Sequence, residues 1–190
     1  MVATWIINHQ RSLYIVEDTE LIEILLYLNP TVQLVKVDAI KQTVMTLYSL
    51  EKHDMKIYLS NISSKLSFTL DLWISSNNKS FISLTGYYID EDWNLKEIII
   101  DFGLLNGKHD GTNLANRFYQ VLEDYNIVSK FLAVTLDDAT NNNVFVWELA
   151  IKIREDTNIS WNPECLQFQC FNHILNLAVQ AALDHIKEDV

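Results

Sequence analysis

The spacing of apolar residues changes its period along the chain. Up to about residue 61 they recur every three or four positions, in "EDTELIEILLYLNP" and between Ile40 and about Leu59, which predicts two helices. In "KLSFTLDLW" they alternate with polar residues, which predicts a strand. The stretches "SFISLTGYYID" and "LKEIIIDFGLL" follow after short turn-forming segments. These three strands are therefore predicted to be antiparallel neighbours.

The second half of the chain alternates between helical and strand patterns. Leu114 to Tyr125 has a helical stripe, "KFLAVTL" suits a central strand buried on both faces, and "NNVFVWELAIKI" is apolar nearly all round and predicts a buried helix. A short strand in "LQFQCF" and a last helix in "HILNLAVQAALDHIK" complete the order β-β-β-α-β-α-β-α. We therefore predict a helical N-terminal segment, 1-62, and an α/β domain with a mixed sheet, 63-190.

Composition and charge narrow the classes of function. The chain has 190 residues, of which 49% are hydrophobic, and only two cysteines, which indicates an intracellular globular protein without a disulfide framework. No apolar run is long enough to cross a membrane. The formal net charge of -11 argues against nucleic-acid binding, because phosphate contacts need clustered Lys and Arg.

Two acids occupy positions that packing alone does not explain. Asp71 lies in the middle of the first strand, and Asp137 ends the fourth. If these strands are parallel neighbours, the carboxylates meet and repel each other unless a cation lies between them. Mg²⁺ prefers such oxygen ligands. The alternative is structural: Asp137 or Asp138 caps the helix that follows, and Asp71 accepts hydrogen bonds from a turn.

The remaining candidate chemistry is weaker. Cys165, Cys170 and His173 give only three candidate zinc ligands, so no zinc site is predicted. Isolated histidines are expected at the surface, and tryptophans are expected to pack in the core or at its rim rather than to form stacking platforms. These residues are His53, His109 and His185, and Trp73, Trp93 and Trp147.

Several stretches together resemble one family. "FTLDLWISSNNKSFISLTGYYIDEDW", "AVTLDDATNN" and "CFNHILNLAVQAAL" resemble segments of hAT-family transposases and their host-derived relatives, which include BED zinc-finger proteins. Upstream, "WIINHQRSLYIVEDTELIEILLYLNP" resembles the helical stretch before the catalytic core of that family. The resemblance covers nearly the whole chain.

The resemblance implies a ribonuclease-H-like fold and an Asp-Asp-Glu triad that binds two Mg²⁺ or Mn²⁺ ions, cuts DNA at transposon ends and joins it to a target. Asp71 and Asp137 match the first two acids. Trp73, in "DLW", and the C-x-x-H pair Cys170 and His173 are expected near the bound nucleic acid. Beside Asp137 the family commonly has Thr and Asn, where this chain has Leu136 and Asp138.

The resemblance also indicates what the sequence lacks. Nothing matches the third acid, the BED zinc finger or the C-terminal dimerisation region, so the ribonuclease-H-like domain is expected to be incomplete at the C-terminus. We expect a nuclear fragment or degenerate copy of a hAT transposase that retains DNA binding, is inactive alone, and would form a homo-oligomer through the missing regions. The alternatives are a domesticated, non-enzymatic module that binds DNA or protein, and a gene fragment without a function of its own.

Overall fold

The computed structural model describes residues 1–108, 110–137, 142–159, 161–165 and 167–188, which form two compact units, Met1–Ile57 and Tyr58–Val190. The helices are α1 (Val2–Asn8), α2 (Thr19–Leu28), α3 (Val37–Asn61), α4 (Gly111–Asp124), α5 (Asn142–Thr157) and α6 (Phe171–Glu188). The strands are β1 (Leu66–Ile74), β2 (Ser80–Ile89), β3 (Leu95–Leu104), β4 (Phe131–Leu136) and β5 (Gln167–Gln169). None of the helices in these ranges combines the length and the apolar character that a membrane crossing requires.

The first unit has a small apolar core of its own. Ala3, Ile6, Val16 and Ile40 are buried together. Helix α2 begins after Asp18 as the sequence predicts, but none of its residues is buried, so the apolar face predicted for it is not part of this core. Because α2 contributes so little, the core of this unit depends on α1, the turn before α2 and the first part of α3.

The second unit is built on one five-stranded sheet in the order β3-β2-β1-β4-β5. Strands β1, β2 and β3 pair antiparallel, whereas β4 pairs parallel to β1 and β5 parallel to β4. The predicted order of strands and helices is confirmed, and β1 and β4 are the parallel neighbours that the interpretation of Asp71 and Asp137 requires. The arrangement is the mixed α/β sheet of a ribonuclease-H-like fold.

Four phenylalanine rings form the centre of the core on one face of the sheet. The Phe118 ring of α4 lies 5.5 Å from that of Phe68, 5.9 Å from that of Phe131 and 5.6 Å from that of Phe145, measured between centroids. All four side chains are almost completely buried. One aromatic side chain of α4 therefore joins β1, β4 and α5, which fixes both helices against the sheet.

Helix α5 is buried on one side only, which corrects the prediction of a helix buried all round. Phe145, Leu149 and Ile153 are fully enclosed, but Val144 and Trp147 are 48% and 58% exposed. The apolar sequence of the helix is therefore a poor guide to its burial, because burial depends on which elements contact it. The prediction that β4 is buried on both faces holds except at Leu132, which is 45% exposed, and at Thr135, which is partly buried.

The opposite face of the sheet, which we call the open face, presents a second aromatic group. Trp73 of β1, Phe81 of β2 and Phe102 of β3 lie on it, with ring centroids 5.6 to 6.1 Å apart. Phe102 is 63% exposed and Ile99 beside it is 69% exposed. Helix α6 likewise has most of its apolar side chains exposed. The open face therefore presents exposed apolar surface in the described part of the chain.

We expect Phe118→Ala to lower the free energy of unfolding by about 3–5 kcal/mol, since it removes the ring that joins three elements and leaves a cavity. Phe102→Ala, on the open face, is the matched control and should cost less than about 1 kcal/mol. Chemical denaturation followed by circular dichroism measures both. Equal losses would contradict the assignment of the core to the α4 side.

Tyr88 makes the free energy of unfolding depend on pH in the alkaline range. Burial, together with a 2.7 Å hydrogen bond to the Tyr58 hydroxyl, raises the pKa of Tyr88 to about 12. In the unfolded chain a tyrosine titrates near about 10. Because the folded state keeps the proton longer, this stabilisation is present below about pH 10 and is lost as the pH rises through about 12. In urea denaturation at a series of pH values, the free energy of unfolding of Tyr88→Phe should fall less between about pH 10 and 12 than that of the wild type. If the two proteins lose the same free energy over this range, the Tyr58–Tyr88 pair does not contribute to the pH dependence.

Candidate functional site

Asp71 lies on β1, and Asp137 directly follows the adjacent parallel strand β4. In the β1–β4 ladder Thr69 pairs with Thr135, so continuing the register by two residues aligns Asp71 with Asp137. Both residues are exposed. Neighbouring strands are about 5 Å apart, a distance that carboxylates can bridge through a shared cation.

Alternation along β1 explains why Asp71 is exposed although Leu66, Phe68 and Leu70 of the same strand are buried. Leu66, Phe68 and Leu70 point into the core, so Asp71 points to the open face. In the described part of the chain neither Asp71 nor Asp137 forms an ion pair with a basic side chain. Asp101, by contrast, lies on the core side of β3 and is paired with Arg117. The partly buried Asp101 is therefore neutralised by a basic side chain, whereas within the described residues the exposed pair is not.

A shift of register in the β1–β4 ladder aligns Asp71 with Asp137. Leu66 pairs with Phe131, but Ser67 pairs with Ala133, so the ladder advances past Leu132. An uninterrupted register from Leu66 would place Leu136 opposite Asp71. The extra residue acts as a β-bulge, which re-aims the side chains that follow it. The alignment of Asp71 with Asp137 therefore depends on Leu132 being skipped.

The backbone at Asp137 is held by a residue that the sequence did not single out. The carbonyl of Asp137 accepts a hydrogen bond from the side-chain amide of Asn142, which is only 5% exposed at the start of α5. An asparagine shortly after the acid, at the start of the predicted helix, was the available signal. We assign Asn142 as a positioning residue. The alternative that Asp138 caps this helix falls outside the described residues.

The C-x-x-H segment begins at the same edge of the sheet. Leu136 pairs with Gln169, and the N–H of Cys170 donates to the carbonyl of Leu136 at 2.8 Å, which places Cys170 level with Asp137. His173 follows in the first turn of α6, where its N–H donates to the carbonyl of Cys170. Within the described residues no group of three or more His, Cys, Asp or Glu forms a metal site.

The other aromatic and histidine expectations have mixed outcomes. Trp73 lies two residues beyond Asp71 on the open face, stacks on Phe81 and is 40% exposed, which agrees with rim packing. The expectation of packing is wrong for Trp93, which is 88% exposed in the β2–β3 turn. His53 and His185 are exposed as expected, and His109 lies outside the described residues.

A cavity of about 510 Å³, which no sequence pattern predicts, lies between α5 and the edge strand β5. We call it the edge pocket. Exposed aromatic rings and amide side chains are prominent in its lining, which includes Asn143, Trp147, Glu164, Gln167, Phe168 and Gln169. The pocket depends on the packing of a helix against a three-residue strand, so no local pattern in the sequence marks it.

Comparison with known proteins agrees with this architecture. The family model "ZBED1 RNase-like domain" matches residues 69–164. A protein named "Putative AC transposase" from Zea mays is 31% identical over 179 residues, which is 94% of this chain and 22% of that protein. "Zinc finger BED domain-containing protein RICESLEEPER 2" from Oryza sativa subsp. japonica is 25% identical over 185 residues, which is 97% of this chain and 26% of that protein.

The five-stranded mixed sheet and the matching family model define a ribonuclease-like domain. The chain belongs to the hAT-transposase-like family, which the AC transposase and the BED zinc-finger proteins represent among its relatives. It is therefore a transposase-derived protein, and it spans only 22% and 26% of the length of the two relatives named above.

Proposed function

We propose that this transposase-derived domain binds DNA in the nucleus, with a divalent cation held by Asp71 and Asp137 at the contact with a backbone phosphate. The alignment of these two exposed acids on β1 and β4 carries the proposal. Cleavage and joining of DNA is the ancestral activity of such a site. The names of the relatives, a transposase and a BED zinc-finger protein, support DNA as the partner.

The donor set fits a hard cation but fills only part of its coordination shell. Carboxylate oxygens suit Mg²⁺ and Mn²⁺, whereas the described residues bring no third acid, histidine or cysteine to the pair. When bound, the cation supplies charge neutralisation and polarises a phosphate oxygen. The residues themselves orient it: the core fixes β1 beneath Asp71, and Asn142 fixes the backbone at Asp137.

A bound cation also answers the objection from charge. The chain carries a formal charge of -11, so an uncoordinated acid pair repels phosphate. Two carboxylates that share one divalent cation have a combined charge close to zero, so they no longer repel a phosphate. DNA binding by this chain should therefore depend on Mg²⁺ or Mn²⁺ far more than binding by a basic protein does.

A non-enzymatic module that binds protein is the second candidate function. The exposed apolar residues of the open face, among them Phe102 and Ile99, favour it, because large exposed apolar patches commonly mark interaction surfaces. This candidate needs neither Asp71 nor Asp137. Substitution of Asp71 or Asp137 should therefore weaken DNA binding but leave protein binding unchanged, which distinguishes the two functions.

We expect Mn²⁺ to bind the wild-type chain weakly and Asp71→Asn to abolish the binding heat, since one carboxylate and water hold a hard cation poorly. Asp92→Asn is the matched control, because Asp92 is an exposed acid in the β2–β3 turn. Isothermal titration calorimetry measures the heats. Equal heats from wild type and Asp71→Asn would remove the metal site.

The chain alone should not cut DNA. Two-metal cleavage needs ligands that fix both ions while charge develops on the phosphate, and a missing member of such a set commonly costs several orders of magnitude in rate. Incubation of labelled transposon-end duplexes with the chain and Mn²⁺, followed by denaturing gels, is the assay. Nicks that disappear in Asp137→Ala would show that the site is complete and that this expectation is wrong.

A further inference from the structure

We propose that the turn between β2 and β3 is a docking point for another protein, in which Trp93 anchors a segment that combines apolar side chains with Lys or Arg. We call residues 89–95, which form this turn and the ends of its two strands, the Trp93 tip. The inference goes beyond the proposed function, because it requires neither DNA nor the acids Asp71 and Asp137.

The β1–β2 and β2–β3 hairpins of the sheet are closed by the same kind of turn. In the first, the N–H of Asn78 donates to the carbonyl of Ser75 at 2.9 Å. In the second, the N–H of Trp93 donates to the carbonyl of Asp90 at 3.1 Å. Both donors have left-handed backbone, with φ of 58° at Asn78 and 62° at Trp93. The chain therefore places two different residue types at one equivalent backbone position.

Folding alone does not account for a tryptophan at this position. Left-handed backbone favours Gly and Asn, because a Cβ crowds the neighbouring carbonyl and a short polar side chain offsets part of the cost. Asn78 follows this preference, whereas Trp93 does not. Packing does not compensate for the cost either, since Trp93 is 88% exposed. A residue that is strained and also exposed is better explained by a contact outside the domain.

The carboxylate of Asp90 holds the turn in one conformation. Its Oδ1 atom accepts hydrogen bonds from the N–H groups of Asp92 at 3.0 Å and Asn94 at 2.8 Å. Its Oδ2 atom lies 3.1 Å from the Nζ atom of Lys96. Trp93 is thus presented on a fixed backbone, which lowers the conformational entropy lost when a partner binds. Exposed tryptophans on such surfaces commonly supply a large part of a binding energy.

Two aliphatic side chains extend the apolar surface around the indole. Ile89 and Leu95 pair with each other across the hairpin, directly below the turn. Leu95 is 68% exposed and Ile89 is 41% exposed. A partner that covers Trp93 therefore also removes these neighbouring apolar side chains from water, which favours binding.

The charges around the tip determine the chemistry of its partner. Three exposed acids lie in the turn or just after it, and within the described residues none of them forms an ion pair: Glu91, Asp92 and Glu97. The nearby Lys96 is already paired with Asp90. The phosphates of a nucleic acid would be repelled here, whereas a protein segment with Lys or Arg beside its apolar side chains would be attracted.

The tip is far from the acid pair. Asp71 pairs with Ser83 of β2, and Ile89 lies six residues further along the same strand. At about 3.3 Å per residue this separation is roughly 20 Å. A protein bound at the tip therefore leaves Asp71 and Asp137 accessible.

Selection of phage-displayed peptides against the full chain, and in parallel against Trp93→Asn, tests the inference. We expect the wild type to enrich peptides in which Lys or Arg flank apolar residues, and Trp93→Asn not to enrich them. The most enriched peptide is then synthesised with a fluorescent label and titrated with each protein. By fluorescence anisotropy, Trp93→Asn should bind it at least about tenfold more weakly, the loss expected for an anchoring tryptophan.

Two further variants sharpen the comparison of affinities. Trp147→Leu is the matched control, because Trp147 is an exposed tryptophan of α5, and it should bind the peptide as the wild type does. Glu91→Gln should weaken binding by about twofold to threefold at low salt, since it removes one charge at the edge of the contact. Equal affinities of the wild type and Trp93→Asn, or a selection that enriches no basic and apolar peptide, would overturn the inference.

Thermal denaturation tests the premise that Trp93 does not serve the fold. Trp93→Asn should raise the melting temperature by about 2–4 °C, because it relieves the left-handed strain. Asn78→Trp, the reverse change in the β1–β2 turn, should lower the melting temperature by a similar amount. A fall in the melting temperature of Trp93→Asn would show that the indole stabilises the domain and would overturn the inference.

Other occupants of the tip would give different results. A dimer of the wild type that Trp93→Asn dissociates, measured by light scattering after gel filtration, would assign the tip to a second copy of the chain. Weaker binding of a DNA duplex by Trp93→Asn would assign it to nucleic acid. Either result would overturn the inference. Mn²⁺-dependent DNA binding that ignores Asp71→Asn would instead refute the proposed function and leave the tip unaffected.

Discussion

The parallel pairing of β1 with β4 is the interaction on which the candidate site depends. It joins two segments that are more than 60 residues apart in the chain. Two lysines tie the beginnings of these strands together: Lys65 donates to the carbonyl of Ser129 at 2.6 Å, and Lys130 donates to the carbonyl of Ile62. The stacked rings of Phe68 and Phe131 then pack the same pair of strands into the core. The acids at the far end are therefore positioned by contacts on which the stability of the domain depends.

The acids on the two faces of the sheet differ in whether a basic side chain pairs with them. On the core side, the partly buried carboxylate of Asp101 is paired with Arg117, which compensates for its partial loss of solvent. On the open face, solvent makes an uncompensated acid pair tolerable. The same sheet can therefore be stable without a cation. Function at Asp71 and Asp137 need not compete with folding.

Local patterns predicted the elements well but their environments poorly. The alternation of apolar and polar residues in β1 predicted both the strand and the face on which Asp71 lies, because successive side chains of any strand point to opposite faces. The apolar sequence of α5 was misleading about Trp147, and nothing near Leu132 predicted a shift of register. Exposure and register are decided by partners distant in the chain, so a pattern within one segment cannot contain them. The edge pocket was missed for the same reason, whereas Asn142 lies only five residues after Asp137 and its role could have been inferred locally.

The bulge at Leu132 has a consequence in genetic terms. Loss of the codon for Leu132 removes a residue that the ladder already skips, so the pairing of Ser67 with Ala133 and everything beyond it can persist. Loss of a codon within the segment 133–136 instead draws Asp137 back by one position and turns its side chain to the other face. Two deletions of equal size, only a few bases apart, would therefore differ in whether a gene copy keeps its acid pair.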